Sequence, residues 1–424
     1  MGSTYDFPYF QGNSFSDLFA QDITDARYAL IPNYPATASW AAYPNTQKYF
    51  IQDGSSEATK TSFDKICQKE PWKNLAVLGD ALSAIVIIEP SKLLIDYWKE
   101  HFGLSDSKME MMDCSVYLDD LSQNSHFDKA ITLFPFDSLK PEKHAVAPDT
   151  HYYLLSKVTL SELGVQCPKY KSYNLRSVSL EDIQLPEQYP YLIKTSHGLS
   201  GEGTYIIRSA SDLNYCLEEL RKYLNIKLLD TIIVSEFVKN AVQNYCVQFY
   251  VNKAGEITLI GTTTQLVTSE GNYLGGLIHY RETDMNKFSE MIAALGQYAH
   301  QQGYFGFIGF DVLEDADGQL YAIDANFRVN GSTPLCLQRN TLLGLGKEVA
   351  KYSSDYRMDG TLDSILVTLK PELERKDFII LSALEKVKYG KIYTEIYGIV
   401  TGETIDQMQH IEQNLQDKGL HSLG

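Results

Sequence analysis

The stretch Tyr191-Leu-Ile-Lys194-Thr-Ser-His-Gly-Leu-Ser-Gly-Glu-Gly203-Thr204-Tyr-Ile-Ile-Arg208 places a glycine-rich loop between two short apolar runs. These runs predict two β-strands, Tyr191 to Lys194 and Thr204 to Arg208, which the loop joins as a hairpin. Glycines let backbone N–H groups approach anionic oxygens, and Lys194 at the end of the first strand supplies a positive charge. The loop is therefore a candidate phosphate-binding segment.

Standard phosphate and nucleophile motifs do not fit this loop. The P-loop pattern GxxxxGK[ST] is absent because no lysine follows the glycines. The dinucleotide pattern GxGxxG fails because Ile206 stands at its third glycine. The esterase pattern GxSxG fails because Glu202 stands at its last position. A hairpin turn that binds nothing remains open as the alternative interpretation.

A second predicted hairpin carries four polar side chains of complementary chemistry. The segment Asp315-Ala-Asp-Gly318 is a turn signal between two apolar runs. Because side chains alternate along a strand, those of Asp324, Asn326 and Arg328 fall on one face, and strand pairing can place Asp311 beside them. Two carboxylates and an amide oxygen suit Mg²⁺ with phosphate oxygens, and an arginine can hold a transferring phosphoryl group. A solvated polar face of a sheet is the alternative.

A third segment, Val234-Ser-Glu236-Phe-Val238, places one acidic residue within a short apolar run. Such a segment fits a hinge under an adenine ring, since backbone groups can bind the ring edge while apolar side chains contact its faces. A surface or helix-capping glutamate is the competing interpretation of Glu236.

Composition limits the classes of function. The chain has 424 residues and a formal net charge of −17, which argues against general binding to nucleic acids or anionic membranes. We find no apolar run of the roughly 18 residues that span a bilayer, and no secretory signal at the start. The six cysteines are widely spaced, which favours free thiols in a reducing cytoplasm over a disulfide framework.

Residues 1–150 predict a small α/β domain with a parallel sheet. Strands are expected at Leu75 to Gly79, Ala84 to Ile88 and Ala130 to Phe134, with loop-rich structure before them. Ser91 can cap a helix that follows the second strand. A dinucleotide site lacks support because no GxGxxG follows the first strand.

The rest of the chain divides into three predicted parts. Residues 151–235 would form a first α+β subdomain with the glycine-rich hairpin, and residues 236–345 a second with the acidic hairpin. Residues 346–424 would form a small C-terminal α/β appendage. The chain as a whole is thus predicted to be an α/β (α+β) protein.

Taken in order, these segments resemble the ATP-grasp superfamily of carboxylate–amine ligases. Tyr153-Leu-Leu-Ser-Lys157 followed by Leu163-Gly-Val-Gln-Cys-Pro168 resembles that family's first ATP lysine and the step after it. The resemblance implies an N-terminal pre-ATP-grasp domain and an ATP-grasp fold, with ATP and Mg²⁺ as cofactors. The nucleotide-binding residues it implies are Lys157, Lys194, His197, Gly198, Ser200, Gly201, Gly203, Glu236, Phe237, Val238 and Asn244.

The resemblance also implies metal ligands and catalytic groups. The metal ligands would be Asp311, Asp324 and Asn326. Arg328 and Lys194 would be catalytic, and Arg281 is a candidate second anion clamp, with a surface arginine as its alternative.

A narrower likeness links the chain to peptide ligases of the pheganomycin type. It rests on Asn244-Tyr-Cys-Val-Gln248, on Gly271-Asn-Tyr-Leu-Gly275 after Thr263-Thr-Gln265, and on Gly331-Ser-Thr-Pro334 after Asn326-Phe-Arg328. Three departures are visible: Asp324 replaces a common glutamate, Gln243 stands where an acidic ribose ligand is frequent, and the last motif lacks a histidine.

The implied reaction is ADP-forming synthesis of an amide. ATP would phosphorylate a substrate carboxylate, and an amine would attack the acyl phosphate. The partners would be small-molecule carboxylate and amine substrates, such as amino acids or peptides, without nucleic acid or membrane, and a homodimer is compatible with the family. The alternatives are a nucleotide-binding regulatory module without turnover and a small-molecule kinase.

Overall fold

The computed structural model describes residues 5–34, 48–49, 68–104, 109–111, 121–136, 138–198, 201, 203–225, 229–268, 271, 273–282 and 284–422. Within these residues, no helix is both long enough and apolar enough to cross a bilayer. Cys167, Cys216, Cys246 and Cys336 are free thiols. The other two cysteines lie outside the described residues.

The N-terminal part contains a four-stranded sheet in the order β3-β2-β1-β4, and every pairing in it is parallel. This confirms the predicted α/β class with a parallel sheet. Its strands are β1 (Tyr28–Ile31), β2 (Ser83–Val86), β3 (Met109–Met111) and β4 (Lys129–Thr132). Its helices are α1 (Phe15–Phe19), α2 (Glu70–Leu75), α3 (Lys92–Phe102) and α4 (Pro148–Leu154). As predicted, Ser91 caps α3, with its hydroxyl accepting from Leu94 N at 3.3 Å.

The predicted strand from Leu75 to Gly79 was wrong. Pro71 stands in the first turn of α2, and Leu75 is the last residue of that helix. The residues from Leu75 to Leu78 are all buried, and periodicity alone cannot distinguish a short buried helix end from a buried strand. The first strand of the sheet is instead β1, within the segment expected to be loop-rich.

A second sheet is antiparallel and has the order β5-β8-β6-β7. Its strands are β5 (Tyr170–Asn174), β6 (Tyr191–Thr195), β7 (Thr204–Ile207) and β8 (Thr231–Glu236), with helix α5 (Ala210–Asn225). Ile193, Ile207 and Ile232 form its core with Leu220 of the helix. The predicted glycine-rich hairpin is therefore present, with β6 pairing with β7.

The third sheet has nine strands within the described residues, in the order β13-β12-β9-β10-β11-β14-β16-β15, with β17 beside β14. Its strands are β9 (Ala241–Val251), β10 (Ile257–Val267), β11 (Tyr273–His279), β12 (Gly306–Asp315), β13 (Leu320–Asn326), β14 (Val349–Asp359), β15 (Phe378–Lys388), β16 (Lys391–Gly402) and β17 (His421–Ser422). Its helices are α6 (Ser289–Gln301), α7 (Thr333–Leu337), α8 (Arg339–Gly344), α9 (Leu362–Thr368), α10 (Lys370–Glu374) and α11 (Ile405–Asp417). Short 3₁₀ helices span Pro141–Lys143, Lys157–Glu162, Leu180–Asp182 and Met285–Phe288.

The N-terminal elements pack directly on the large sheet. Phe15 of α1 makes an edge contact with Phe307 of β12, with ring centres 5.3 Å apart. The Tyr250 hydroxyl donates to Asp22 at 2.6 Å. One hydrophobic core runs through both parts and also includes Trp72 of α2. This packing holds α2 beside β14 to β16 and so positions its polar side chains next to the site described below.

Candidate functional site

A cavity of about 640 Å³ lies between the antiparallel four-stranded sheet and the nine-stranded sheet. The N-terminal part contributes to its wall as well. The predicted site residues that line it are Lys157, Lys194, Gly198, Gly201, Glu236, Phe237, Val238, Asn244, Asp311, Asp324, Asn326 and Arg328. Groups from four separate stretches of the sequence thus converge on one space.

The carboxylates are brought together by strand pairing. In the β12–β13 hairpin, Asp311 lies directly opposite Asp324, and Gly309 lies opposite Asn326. Burial, followed by the negative charge of Asp324, raises the pKa of Asp311 to about 7. Burial alone would also raise the pKa of Asp324, but the nearby Lys157 ammonium holds it below its usual value. Two facing carboxylates in a buried position attract a cation strongly.

The donor set at this hairpin fits Mg²⁺. Carboxylate and amide oxygens are hard ligands, and Mg²⁺ commonly takes one or two protein carboxylates together with water and phosphate oxygens. Among the described residues there is no cluster of three or more His, Cys, Asp or Glu side chains that would form an all-protein metal cage. The arrangement of Asp311, Asp324 and Asn326 therefore suits a metal that arrives with phosphate.

Two lysines that are distant in sequence face the acidic hairpin. Lys157 Nζ donates to Asp324 Oδ2 at 2.6 Å, and Lys194 Nζ donates to the Ile323 carbonyl at 3.2 Å. The backbone N–H of Lys157 donates to Ser196 O at 2.9 Å, which fixes its helix beside the end of β6. Burial lowers the pKa of Lys194 to about 8. A bound polyanion would stabilise its charged form.

The glycine-rich loop and the hinge form the other end of the cavity. Gly201 and Gly203 adopt left-handed backbone conformations, with φ of 89° and 75°, that favour glycine. Gly203 does not line the cavity, although its carbonyl accepts from Thr195 N at 2.8 Å. Asn244 presents a buried Oδ1 without a hydrogen-bond partner among the described residues. Ser200 lies outside the described residues, so its predicted phosphate contact stays a prediction.

Arg328 links the acidic hairpin to the N-terminal part. Its Nη2 donates to Asn326 Oδ1 at 2.8 Å, and its Nη1 donates to the Tyr34 hydroxyl at 3.1 Å and to Val329 O at 3.1 Å. Its buried Nε has no partner among the described residues. The guanidinium thus keeps a donor available beside the two carboxylates, where an anionic group could bind together with a metal.

Besides Gly203, two more of the predicted site residues that the structure describes, His197 and Arg281, do not line the cavity. The His197 ring is buried and stacks on Tyr152 with a centre-to-centre distance of 3.9 Å. Burial lowers its pKa to about 4, so the ring is neutral, donates from Nε2 to Tyr152 O at 2.9 Å, and accepts from Ser196 at Nδ1. Arg281 is 60% exposed and donates to Glu348 at 2.6 Å. His197 thus supports the base of the loop, and Arg281 lies at the surface.

Sequence reasoning missed several residues that line the cavity. They are Tyr34, Glu70, Lys73, Arg208, Tyr273, Asn330, Tyr352 and Ser354. Glu70 and Lys73 carried one readable signal, since an acid and a base three residues apart in an apolar segment predict a paired group on a buried helix face. The tyrosines that line the cavity carried no such sequence signal, because tyrosine is frequent throughout this chain.

A hydrogen-bond network holds the backbone of Arg328 in place. Asn330 Nδ2 donates to Arg328 O at 3.1 Å, and Asn330 N donates to the Thr333 hydroxyl at 2.8 Å. The buried Gln248 accepts from the same threonine at 2.6 Å. A Cβ placed on Gly309 would lie 2.0 Å from Asn330 Nδ2. Glycine at this strand position is therefore what allows Asn330 to reach its place.

Gly309→Ala is expected to destabilise the protein and to reduce its activity strongly. The added methyl group overlaps Asn330, and such overpacking typically costs about 1–3 kcal/mol. The displaced Asn330 would release the Arg328 backbone. Thermal melting and product formation are the measurements. Gly344→Ala is the matched control, because nothing lies within 4 Å of its added Cβ. Equal melting temperatures for both variants would contradict the close-approach explanation.

Residues 168–326 match the family model described as "L-aspartate--L-methionine ligase, ATP grasp". Among solved structures, an L-amino acid ligase from Bacillus licheniformis is similar over 94% of this chain and 98% of that chain, with 12% identity and a TM-score of 0.54. N5-carboxyaminoimidazole synthetase from Staphylococcus aureus in complex with ADP is similar over 97% and 99% of the two chains, with 13% identity and a TM-score of 0.51.

A biotin carboxylase domain dimer of Hydrogenobacter thermophilus 2-oxoglutarate carboxylase in complex with MgADP is similar over 94% and 91% of the two chains, with 11% identity and a TM-score of 0.53. Structural likeness at these identities shows the fold. It confirms the predicted ATP-grasp fold, and the family model confirms the predicted resemblance to ATP-grasp ligases.

Proposed function

We propose that this protein, an ADP-forming ATP-grasp carboxylate–amine ligase, joins amino acids or short peptides through an acyl-phosphate intermediate. One observation carries the proposal: the two lysines, the acidic hairpin and Arg328 meet in a single cavity. The choice of amino acids is supported by the family model that matches residues 168–326 and by the similar L-amino acid ligase structure. The narrower likeness to pheganomycin-type ligases remains a prediction.

The reaction balances in two steps. A carboxylate oxygen of the first substrate attacks the γ-phosphorus of ATP, the bond to the β-phosphate oxygen breaks, and ADP leaves. The amine of the second substrate then attacks the acyl carbon, inorganic phosphate leaves, and the amine loses its proton. The net products are an amide, ADP and phosphate.

The residues of the chain act mainly by holding charge and position. ATP and Mg²⁺ are the cofactors, and bound Mg²⁺ offsets the negative charge of phosphate oxygens and orients them. Lys157 and Lys194 would bind the phosphate chain, and Asp311, Asp324 and Asn326 would hold the metal. Arg328 stabilises the transferring phosphoryl group and the oxyanion that forms when the amine attacks.

The remaining wall binds the nucleotide base and covers the phosphates. Glu236, Phe237 and Val238 form the adenine hinge, and the buried Oδ1 of Asn244 accepts from the nucleotide. Gly198 and Gly201 bring backbone N–H groups to the phosphates, where they help to exclude water that would hydrolyse the acyl phosphate. The predicted roles of Ser200, Gly203, His197 and Arg281 in contacting ligands remain predictions.

The purified protein is expected to release ADP only when ATP, Mg²⁺, a carboxylate donor and an amine are all present. L-Aspartate with L-methionine is the first pair, followed by pools of L-amino acids. Mass spectrometry should then detect the condensed product. ADP with a stable phosphorylated product from a single substrate would favour the kinase. Tight ATP binding without ADP release under any pool would favour the regulatory module.

We also propose a homodimer, a cytoplasmic location and the fourfold division at residues 150, 235 and 345. The dimeric biotin carboxylase domain of similar fold supports the proposed homodimer. The four free thiols support the proposed cytoplasmic location. The grouping of the first two sheets within the first two segments supports the boundaries at 150 and 235, while the strands on both sides of residue 345 belong to one sheet. Sedimentation velocity that shows only a monomer would contradict the homodimer. Secretion of the native chain would contradict the cytoplasmic location, and proteolytic fragments that ignore these boundaries would contradict the domain division.

A further inference from the structure

Helix α4 contacts two segments that are far apart in the sequence and that both lead into the cavity. The ring of His151 donates from Nε2 to the Phe327 carbonyl at 2.8 Å, across 176 positions. The carbonyl of the next residue, Tyr152, accepts from Nε2 of His197 at 2.9 Å, across 45 positions. Two adjacent residues of one short helix therefore hold the chain just beyond strand β13 and just beyond strand β6.

Each of these contacts lies one residue before a group that lines the cavity. Phe327 is followed by Arg328, and His197 is followed by Gly198 of the glycine-rich loop. Soon after α4 ends, Lys157 donates to a carboxylate of the acidic hairpin at 2.6 Å. The position of the loop relative to the acidic hairpin therefore depends on the same short helix.

Both imidazole rings are held in one orientation. They are buried, with His151 3% and His197 6% exposed, and burial lowers the pKa of each ring to about 4. A neutral imidazole carries one N–H, and each ring donates it to the backbone of another segment. The His197 ring also lies parallel to that of Tyr152, with centres 3.9 Å apart, and its Nδ1 accepts from the Ser196 hydroxyl at 2.9 Å.

Both acceptors are carbonyls near the end of a regular element. Tyr152 lies in the last turn of α4, where helix carbonyls lack an intrahelical partner, and Phe327 follows the last paired residue of β13. A purely local role of the two histidines would be to satisfy these carbonyls. Their donors and acceptors belong to three different segments, however, so the same bonds also join the two walls of the cavity.

We propose that these two hydrogen bonds, which we call the α4 connection, fix the spacing between the glycine-rich loop and Arg328. His151 and His197 are then positioning residues for phosphoryl transfer. This inference rests on the proposed ligase function and adds two residues to it that do not line the cavity. In that function the loop binds the phosphates while Arg328 holds the transferring group, so both must keep one separation.

His151→Leu is expected to lower kcat roughly 100-fold and to leave KM for ATP within a few-fold. Leucine removes the donor to Phe327, and a displacement of about 1 Å at the reacting groups has an effect of this size. His151→Gln should return kcat to within about tenfold of the native value, because its amide nitrogen can donate from about the position of Nε2. Initial rates of ADP release and product formation are measured with the substrates on which the native protein is active.

His197→Leu is expected to have a similar effect, and the double variant tests whether the two bonds act together. If both belong to one connection, breaking either bond releases the loop from the acidic hairpin. The variant with both His151 and His197 replaced by leucine should therefore lose about as much kcat as either single variant. Independent effects would instead multiply to roughly 10⁴-fold.

His144→Leu is the matched control. His144 is also buried, 3% exposed, and its Nε2 accepts from Phe136 N at 3.2 Å, but it does not line the cavity or contact either segment of the α4 connection. Its replacement should lower the melting temperature while kcat stays within a few-fold. Where a leucine variant fails to fold, the asparagine variant replaces it, because asparagine stays polar but is too short to donate from the position of Nε2.

The outcomes separate the two proposals. Absence of ADP release by the native protein with every substrate pool would contradict the proposed function itself. With an active native protein, folded single variants of unchanged kcat would overturn the α4 connection alone. It would also be overturned by losses that multiply in the double variant, by a change confined to KM for ATP or to melting temperature, or by glutamine variants no more active than the leucine variants.

Discussion

Replacing Arg328 with alanine is expected to reduce amide formation roughly 10²–10³-fold while ATP affinity stays within a few-fold. The guanidinium donates to Asn326 and Tyr34 and keeps its Nε available beside the two carboxylates. The proposed binding of the nucleotide relies on the two lysines and the hinge, so the alanine variant keeps most of that affinity. What it loses is stabilisation of charge that appears only in the transition state, a loss of roughly 10²–10³-fold in kcat.

Two further variants test whether the effect is specific to the guanidinium of Arg328. Arg328→Lys should recover little activity, because a lysine ammonium cannot reproduce the planar set of donors. Arg176→Ala is the matched control, since Arg176 is 74% exposed and forms its ion pair with Asp230. Product formation, ATP binding by calorimetry and thermal melting are measured for each. Normal turnover by Arg328→Ala would remove this residue from the mechanism.

Asp324→Asn is expected to reduce activity roughly 10²–10³-fold and to raise the Mg²⁺ concentration needed for half-maximal rate at least about tenfold. The amide removes one of two facing charges at the proposed metal position and leaves Lys157 without its carboxylate partner. Breaking one side of a buried pair also lowers stability, so melting temperatures are compared in the presence and absence of MgADP.

Asp317→Asn is the matched control for that experiment. Asp317 lies in the turn of the same hairpin and is exposed, so its replacement removes an equal charge without touching the cavity. Its activity should match that of the native protein. An unchanged Mg²⁺ requirement in Asp324→Asn would contradict the assignment of Asp324 as a metal ligand.

Features with local sequence signals were predicted well. The hairpin of β12 and β13 follows from alternation and from the turn at Asp315, whose side chain accepts from Asp317 N at 3.0 Å and from Gln319 N at 2.9 Å. Alternation also predicted that Asn326 and Arg328 share a face, and the two are hydrogen-bonded. By contrast, the hydrogen bond between Lys157 and Asp324 spans 167 positions, and only the family resemblance implied that the two residues belong to one nucleotide site.

Features set by tertiary packing were predicted poorly. His197 sits in the loop sequence like a ligand, but stacking on Tyr152 turns it away from the cavity, and no local pattern reports that contact. Glu70 and Lys73 precede the acidic hairpin by more than 200 residues, so only the packing of α2 on the large sheet brings them to the site. Buried apolar runs such as the one after Pro71 are equally ambiguous without their surroundings.

The contact between Arg328 and Tyr34 also bears on how such enzymes can be recombined. A chimera that joins the nucleotide-binding half to a foreign N-terminal segment would inherit the arginine but lose the phenol that orients it. Engineered changes of substrate range in this scaffold should therefore retain that tyrosine, or replace both groups as a matched pair taken from one parent.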